Sequence, residues 1–358
     1  MRPEQRDIRL PWHHSGIDET IPEGLCSDML RLRCATLFRE GEGPHYQSPR
    51  DGSMDTLLSR RSFIYNSALV GLGSLLGGPL LTPAAGVGEG LDLAVATGKD
   101  YFKSTLAAVD QLGGMGRFVP RGARVGLLIN DPFRHPGTHV NPEVALAVVK
   151  MCYDAGAKGI QALKDEPRGY WQRTPLAKRY ADELRSLTAC SGRYVQVGIR
   201  RAVSLKQAEV IRELMEVDIL INVSISKDHA GCNYSGILKN VMGAATYSTC
   251  RYFHYGKGGW NEDIEFLSQC VADVNLLRKP ALCICDSTEC VVTNGPYGPG
   301  KIVKPQKVVA GADPVAVDAY GTGLIGRAAD QIDMIGKSAA LGLGEMNLRK
   351  LRISEIDV

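Results

Sequence analysis

Asp218-Ile219-Leu220-Ile221-Asn222-Val223-Ser224 is the stretch that decides how this chain folds. Its apolar residues follow one another without alternation. That is the pattern of a strand buried on both faces rather than one with a wet side. Further strand candidates are Arg124-Val125-Gly126-Leu127-Leu128-Ile129-Asn130, Gly159-Ile160-Gln161-Ala162-Leu163, Tyr194-Val195-Gln196-Val197-Gly198-Ile199, Ala281-Leu282-Cys283-Ile284-Cys285-Asp286 and Lys307-Val308-Val309-Ala310-Gly311. Between them lie segments with helical spacing. Asn141-Pro142-Glu143 opens one helix, with Asn as cap, Pro in the first turn and an acid at the positive end; it stops at Gly156. Further helices are predicted over 174–187, over 204–215 with Ser204 as cap, over about 234–242 and over 262–277. Asp313-Pro314 opens the last. Alternating strands and helices predict an α/β fold, a mostly parallel sheet with helices on both faces. Ligands of such sheets bind beyond the carboxyl ends of the strands.

The chain has 358 residues, with 42 Lys and Arg against 39 Asp and Glu. That near balance, with no basic stripe, argues against nucleic acid as a partner. Ser59-Arg60-Arg61-Ser62-Phe63-Ile64 precedes an apolar core over 68–81, and no Lys or Arg follows until Lys99. Paired arginines before such a core read as a twin-arginine export signal, and Thr82-Pro83-Ala84-Ala85-Gly86 as its cleavage region. Met54 is a candidate start. Residues 1–53 then read as a mis-assigned or disordered leader, 54–86 as the signal and 87–358 as a single α/β domain. The expected location is periplasmic or otherwise exported in a bacterium, with the export machinery as a partner and no stable membrane span after the signal.

Chemistry is concentrated in the loop after Val223: Ser224-Ile225-Ser226-Lys227-Asp228-His229-Ala230-Gly231-Cys232-Asn233-Tyr234-Ser235-Gly236, followed by Lys239 and Asn240. Lys227, Lys239 and Asn240 are candidates for holding an anion or a cofactor. Asn233 or Ser235 would cap the next helix and turn its amides toward that anion. His229 is a candidate ligand or proton carrier, because its pKa lies near neutrality. Asp318 is a candidate catalytic carboxylate, and Gly298 and Gly300 sit in a Gly/Pro loop whose amides could approach a phosphate or carboxylate. The same loop also reads as two successive turns. Tyr252-Phe253-His254-Tyr255-Gly256-Lys257-Gly258-Gly259-Trp260 reads as a lid or as a packed aromatic hairpin.

Leu220-Ile221-Asn222, Lys227-Asp228-His229 and Gly236-Ile237-Leu238-Lys239-Asn240-Val241-Met242-Gly243 occur in an order that resembles the domain of unknown function family 362. Gly295-Pro296-Tyr297-Gly298-Pro299-Gly300 and Gly311-Ala312-Asp313-Pro314-Val315-Ala316-Val317-Asp318 extend the resemblance, which runs over roughly 125–326. It implies an α/β domain and a loose link to iron–sulfur proteins. This chain has no Cys-x-x-Cys-x-x-Cys run of the ferredoxin kind.

Eight of the ten cysteines fall within 87–358. Cys152 and Cys270 have core spacing. Cys283-x-Cys285, Asp286, His229-x-x-Cys232 and the pair Cys250 and His254 could converge on one metal ion; a disulfide and several buried thiols are the alternative. The metal candidates are therefore Asp286, His229, Cys232, Cys283 and Cys285. Three functions are expected from these residues. The first is an exported metal- or cofactor-binding protein with a redox or metallocentre role, its cofactor unidentified. The second is a periplasmic enzyme acting on a small anionic substrate through His229 and an Asp. The third is a non-catalytic component of an electron-transfer assembly, with a redox partner.

Overall fold

The computed structural model describes residues 90–256 and 258–358. The leader and the signal lie outside them. The described part begins with β1 (Leu93–Thr97), α1 (Tyr101–Gln111), β2 (Arg124–Ile129), α2 (Pro142–Asp154) and β3 (Gly159–Ala162). It continues through α3 (Ala181–Arg185), β4 (Leu187–Thr188), β5 (Tyr194–Gly198), β6 (Gln207–Ile211), α4 (Arg212–Glu216) and β7 (Ile219–Ile225). Next come α5 (Ile237–Asn240), α6 (Tyr247–Tyr255), α7 (Ile264–Asn275), β8 (Leu282–Ser287), β9 (Cys290–Val291) and β10 (Ile302–Val303). β11 (Lys307–Gly311), α8 (Pro314–Leu324), α9 (Asp333–Ala340) and β12 (Ile353–Asp357) complete it.

Eight strands form the main sheet in the order β12-β1-β11-β8-β7-β2-β3-β4. Every neighbouring pair is parallel except those made by β11, which runs antiparallel to both β1 and β8. The α/β class, mostly parallel with helices on both faces, is what the strand pattern predicts. One face packs Leu127, Ile221, Val223 and Ile284 against Phe102, Val109 and Val148 of α1 and α2. The other lies under α5, α7, α8 and α9, where Leu128, Leu220, Leu238, Val271 and Ile335 share a core. Burial on both sides explains the unbroken apolar runs.

Three predicted elements fold differently. Residues 207–211 are a strand, β6, paired antiparallel with β5 as a separate hairpin, so 194–198 does not join the main sheet. The reason is visible at its turn: the buried carboxylate of Asp273 accepts the N–H groups of Val203, Ser204 and Leu205 at 2.7–2.9 Å, which bends the chain where a helix would begin. Gln207-Ala208-Glu209-Val210 then alternates exposed and buried, the strand period. The 174–187 segment breaks into one 3₁₀ turn (Pro175–Lys178), α3 and the start of the short edge strand β4. The helix expected over about 234–242 is a single turn, α5, continued as 3₁₀. Asp313 caps α8 as predicted, accepting the Val315 and Ala316 amides at 2.9 Å. No helix among the described residues is long and apolar enough to cross a membrane.

Candidate functional site

β2, β3 and β7 lie side by side and parallel, so the chain leaves all three at one edge of the sheet. Asn130, Lys164 and Lys227 follow their ends and meet there in a cleft of about 220 Å³, with Phe133, His229, Lys239, Asn240, Met242, Cys250 and His254. A larger groove of about 580 Å³ beside the β5–β6 hairpin is lined by Gln196, Leu205, Glu209 and Tyr252 and gathers no comparable set of titratable groups. Perturbed titratable groups in one cleft mark the first as the candidate site.

Alternation along β7 builds the cleft floor. Asn222, Ser224 and Ser226 point to the α5 side, where their side chains meet the Ile237 and Gly236 carbonyls and the Tyr234 hydroxyl at 2.9, 2.8 and 3.2 Å. This polar ladder binds the returning loop to the strand and so fixes α5. From α5, Asn240 Nδ2 donates to Asn222 Oδ1 at 2.7 Å and lies 3.2 Å from the Val223 and Leu128 carbonyls. Its Oδ1 accepts from Asn130 Nδ2 at 3.2 Å, tying the ends of β2 and β7 together.

Lys227 is almost completely buried. Its Nζ donates to Asn130 Oδ1 at 3.0 Å and to the Thr138 carbonyl at 2.5 Å, and lies 4.3 Å from the centre of the Phe133 ring. Burial, then the positive charges of Lys164 and Lys239, push its pKa well below the ordinary lysine value. Lys164 pairs with the buried Asp131 at 2.9 Å. Neither Lys227 nor Lys239 has a carboxylate partner among the described residues; Lys239 Nζ lies 3.5 Å from Met242 Sδ. Two of the cleft's lysines thus have no paired carboxylate among the described residues; Asp131, held by Lys164, acts on Lys227 only from farther off.

Two imidazoles form the remaining wall. His229 and His254 are stacked with ring centres 5.9 Å apart, and Trp260 stacks on His254 at 4.5 Å. Burial, followed by Lys239, drives the His229 pKa well below its ordinary value and the His254 pKa down to about 4. Both rings are neutral at physiological pH, which suits donors and acceptors of hydrogen bonds rather than fixed cations. The aromatic segment is thus the end of α6 and the turn after it rather than a hairpin.

Other sequence candidates lie elsewhere. Asp318 is buried beneath α5, accepting the Ile237 and Leu238 amides at 2.7 and 2.9 Å. Burial raises its pKa to about 7, against the pull of those amides. It occupies the helix amides that the sequence leads one to expect would face an anion, and no hydrogen bond joins it to His229 among the described residues. Asp286 accepts from Asn141 N, Thr288 N and Thr288 Oγ1 at 2.6–2.9 Å, fixing the start of α2. Cys283 and Cys285 are packed against Leu93, Val309 and Val317 under α8. Cys232 is buried in the core beneath α7 and α9. Burial pushes Cys232 up to about 11 and Cys285 up to about 12. The metal set of Asp286, His229, Cys232, Cys283 and Cys285 is not brought together: among the described residues no three His, Cys, Asp or Glu are placed to share an ion. Gly298 and Gly300 do not line the cleft; the Gly298 amide is spent on the Asn294 carbonyl at 2.9 Å, and Pro296 alone of that loop reaches the cleft. Of the residues named from sequence, Lys227, His229, Ser235, Lys239, Asn240, Cys250 and His254 meet in the cleft.

Asn130, Phe133 and Lys164 complete the cleft and carried weaker sequence signals. Asn130 and Lys164 stand at the ends of predicted strands, which is where a search confined to strand exits would find them.

Comparison with known proteins places this arrangement. Residues 125–323 match the family described as Domain of unknown function (DUF362), a match over more than half of the chain. The chain belongs to the DUF362 family. It is also 27% identical over 199 residues to the thylakoid-associated protein sll1697 of Synechocystis, covering 52% of this chain. The chain spans 59% of that relative's length. Among solved structures, the lactate racemase apoprotein of Thermoanaerobacterium thermosaccharolyticum is similar with a TM-score of 0.38 and 14% identity, over 62% of this chain and 54% of that one. The DUF362 match contains every residue that lines the cleft, from Asn130 to Pro296.

Proposed function

We propose that this DUF362 protein binds a small anionic ligand, a carboxylate or a phosphate, in the cleft at the ends of β2, β3 and β7. The observation that carries this is the pair Lys227 and Lys239: both line the cleft and neither is neutralised by a carboxylate among the described residues. Burial, and after it the neighbouring positive charges, lower the Lys227 and His229 pKa values, and a bound anion would oppose both by supplying negative charge. Drug-sized ligands occupy roughly 300–1,000 Å³. The volume here, about 220 Å³, favours something smaller. Calorimetric titration of the purified protein with inorganic phosphate and with acetate tests this. Binding of either anion, weakened about tenfold or more in Lys239→Ala as expected for loss of a charged contact, supports it. No binding of either, or an unchanged affinity in that variant, overturns it.

We propose further that the protein acts outside the cytoplasm, exported by the twin-arginine route. Arg60-Arg61 before the apolar run supports this, and a relative described as thylakoid-associated is compatible with it. Cell fractionation of an Arg60→Lys, Arg61→Lys variant is the test: retention inside the cell is expected, and unaltered export would end the idea. The metallocentre reading draws less from the geometry, because its cysteines and Asp286 are engaged away from the cleft.

A further inference from the structure

The two imidazoles of the cleft are held in opposite tautomers. In His229, Nδ1 accepts the backbone N–H of Gly231 at 2.9 Å, so that nitrogen bears the lone pair and the ring proton resides on Nε2. In His254, Nδ1 lies 2.6 Å from Asn261 Oδ1, an oxygen that only accepts, so Nδ1 bears the proton and Nε2 the lone pair. Both rings line the cleft and stand nearly parallel, with 21° between their planes. Neither Nε2 has a hydrogen-bond partner among the described residues. One ring thus offers the ligand a donor and its neighbour offers an acceptor.

The two groups that set these states, the Gly231 N–H and the Asn261 side chain, are neighbours. Asn261 packs directly on Gly231: a Cβ added at Gly231 would fall 2.5 Å from Asn261 Oδ1 and 2.6 Å from its Cγ. Asn261 itself sits in the left-handed region at φ 62°, which Asn tolerates, and its N–H donates to the His254 carbonyl at 2.8 Å. The residue that fixes the His229 tautomer and the residue that fixes the His254 tautomer are therefore in contact.

We propose that His229 and His254 select, among small anions, one that also carries a hydroxyl: a hydroxyl-bearing carboxylate. His229 Nε2–H donates to an oxygen of the anion, His254 Nε2 accepts from the ligand's O–H, and Lys227 and Lys239 supply the counter-charge. An anion without the hydroxyl leaves the His254 lone pair unmatched in a partly dry site, which weakens binding. This rests on the anion-binding reading above and adds a substrate class to it.

Acetate and glycolate differ by that hydroxyl and serve as the probes. Calorimetry on the full chain is expected to show glycolate binding about tenfold more tightly than acetate, the worth of one hydrogen bond of average to good strength. In His254→Phe, which keeps a ring against Trp260 but has no lone pair, the glycolate advantage is expected to vanish. In Lys239→Ala both carboxylates weaken together. Equal binding of the two probes by the unaltered protein overturns the inference and leaves the anion reading standing; no binding of either overturns both. A glycolate preference that persists in His254→Phe overturns the assignment to His254. Long-range ¹H–¹⁵N spectra of histidine-labelled protein give a readout that needs no variant. One cleft ring with Nε2–H and the other with Nδ1–H is expected, and two rings in the same tautomer would overturn the inference.

Discussion

His254 is held neutral by its surroundings, and this has a consequence for stability that belongs to the residue itself. In an unfolded chain an imidazole titrates near 6.5, whereas in the fold burial and Lys239 bring His254 down to about 4. Between those values the unfolded chain binds a proton that the folded one does not. Stability therefore falls as pH drops through that window and is fully present above it. His229 and His139 are shifted in the same direction, each chiefly by burial, so they add to the effect. Urea midpoints at about pH 7.5 and about pH 5 are expected to show the loss, and His254→Phe is expected to shrink it. At this scale the sequence was half legible. Asp313-Pro314 announces a cap within its own segment, and the structure has it. Asp318 serves a helix 80 positions away, at Leu238, and no local spacing reveals such a partner. His229 was visible in a polar loop; the state of its ring depends on a neighbour's backbone and was not.

Among elements, the unbroken apolar runs gave the central strands, because burial on both faces leaves no other composition open to them. Lys206-Gln207-Ala208-Glu209-Val210-Ile211-Arg212 satisfies both a helical and an alternating pattern, and a tertiary contact decides between them. That contact is Asp273, buried in α7, whose carboxylate takes three consecutive amides of the turn before β6. Asp273→Ala leaves three N–H groups without their acceptor and is expected to destabilise the protein by about 2–4 kcal/mol, measured by chemical denaturation. The β5–β6 hairpin is a different surface from the cleft, so affinity for the cleft's anion is expected to stay within twofold or so of the unaltered protein. A large loss of affinity would show that the hairpin and the cleft are coupled. The metal set failed at this scale as well: Cys283 and Cys285 do share one face of β8, as a two-residue spacing requires, but that face is closed by α8.

For the whole molecule, parallel order at the sheet centre could be inferred from strand–helix alternation, whereas the reversed β11 could not. β11 enters between β8 and β1 after an excursion through β9 and β10, and nothing in its five residues marks its direction. The layered core makes a prediction about local stability. β2, β7 and β8 are covered on both faces, while β5 alternates between partly buried and exposed positions along its length. Amide hydrogen exchange is expected to be slowest in β2, β7 and β8 and orders of magnitude faster in β5. Similar rates in both would mean that the hairpin unfolds only with the core.

The position of β1 bears on how the chain is made. β1 pairs with β12 in register Leu93 to Ile353, and Arg352 closes the same corner on Asp92 across 260 positions of sequence. At about 5–20 residues per second of synthesis, β1 waits roughly 10–50 s on the ribosome before its outer neighbour exists. Until then its edge is open to pairing with another chain. Ribosome-bound chains are thus a stage at which the open β1 edge is free to pair wrongly.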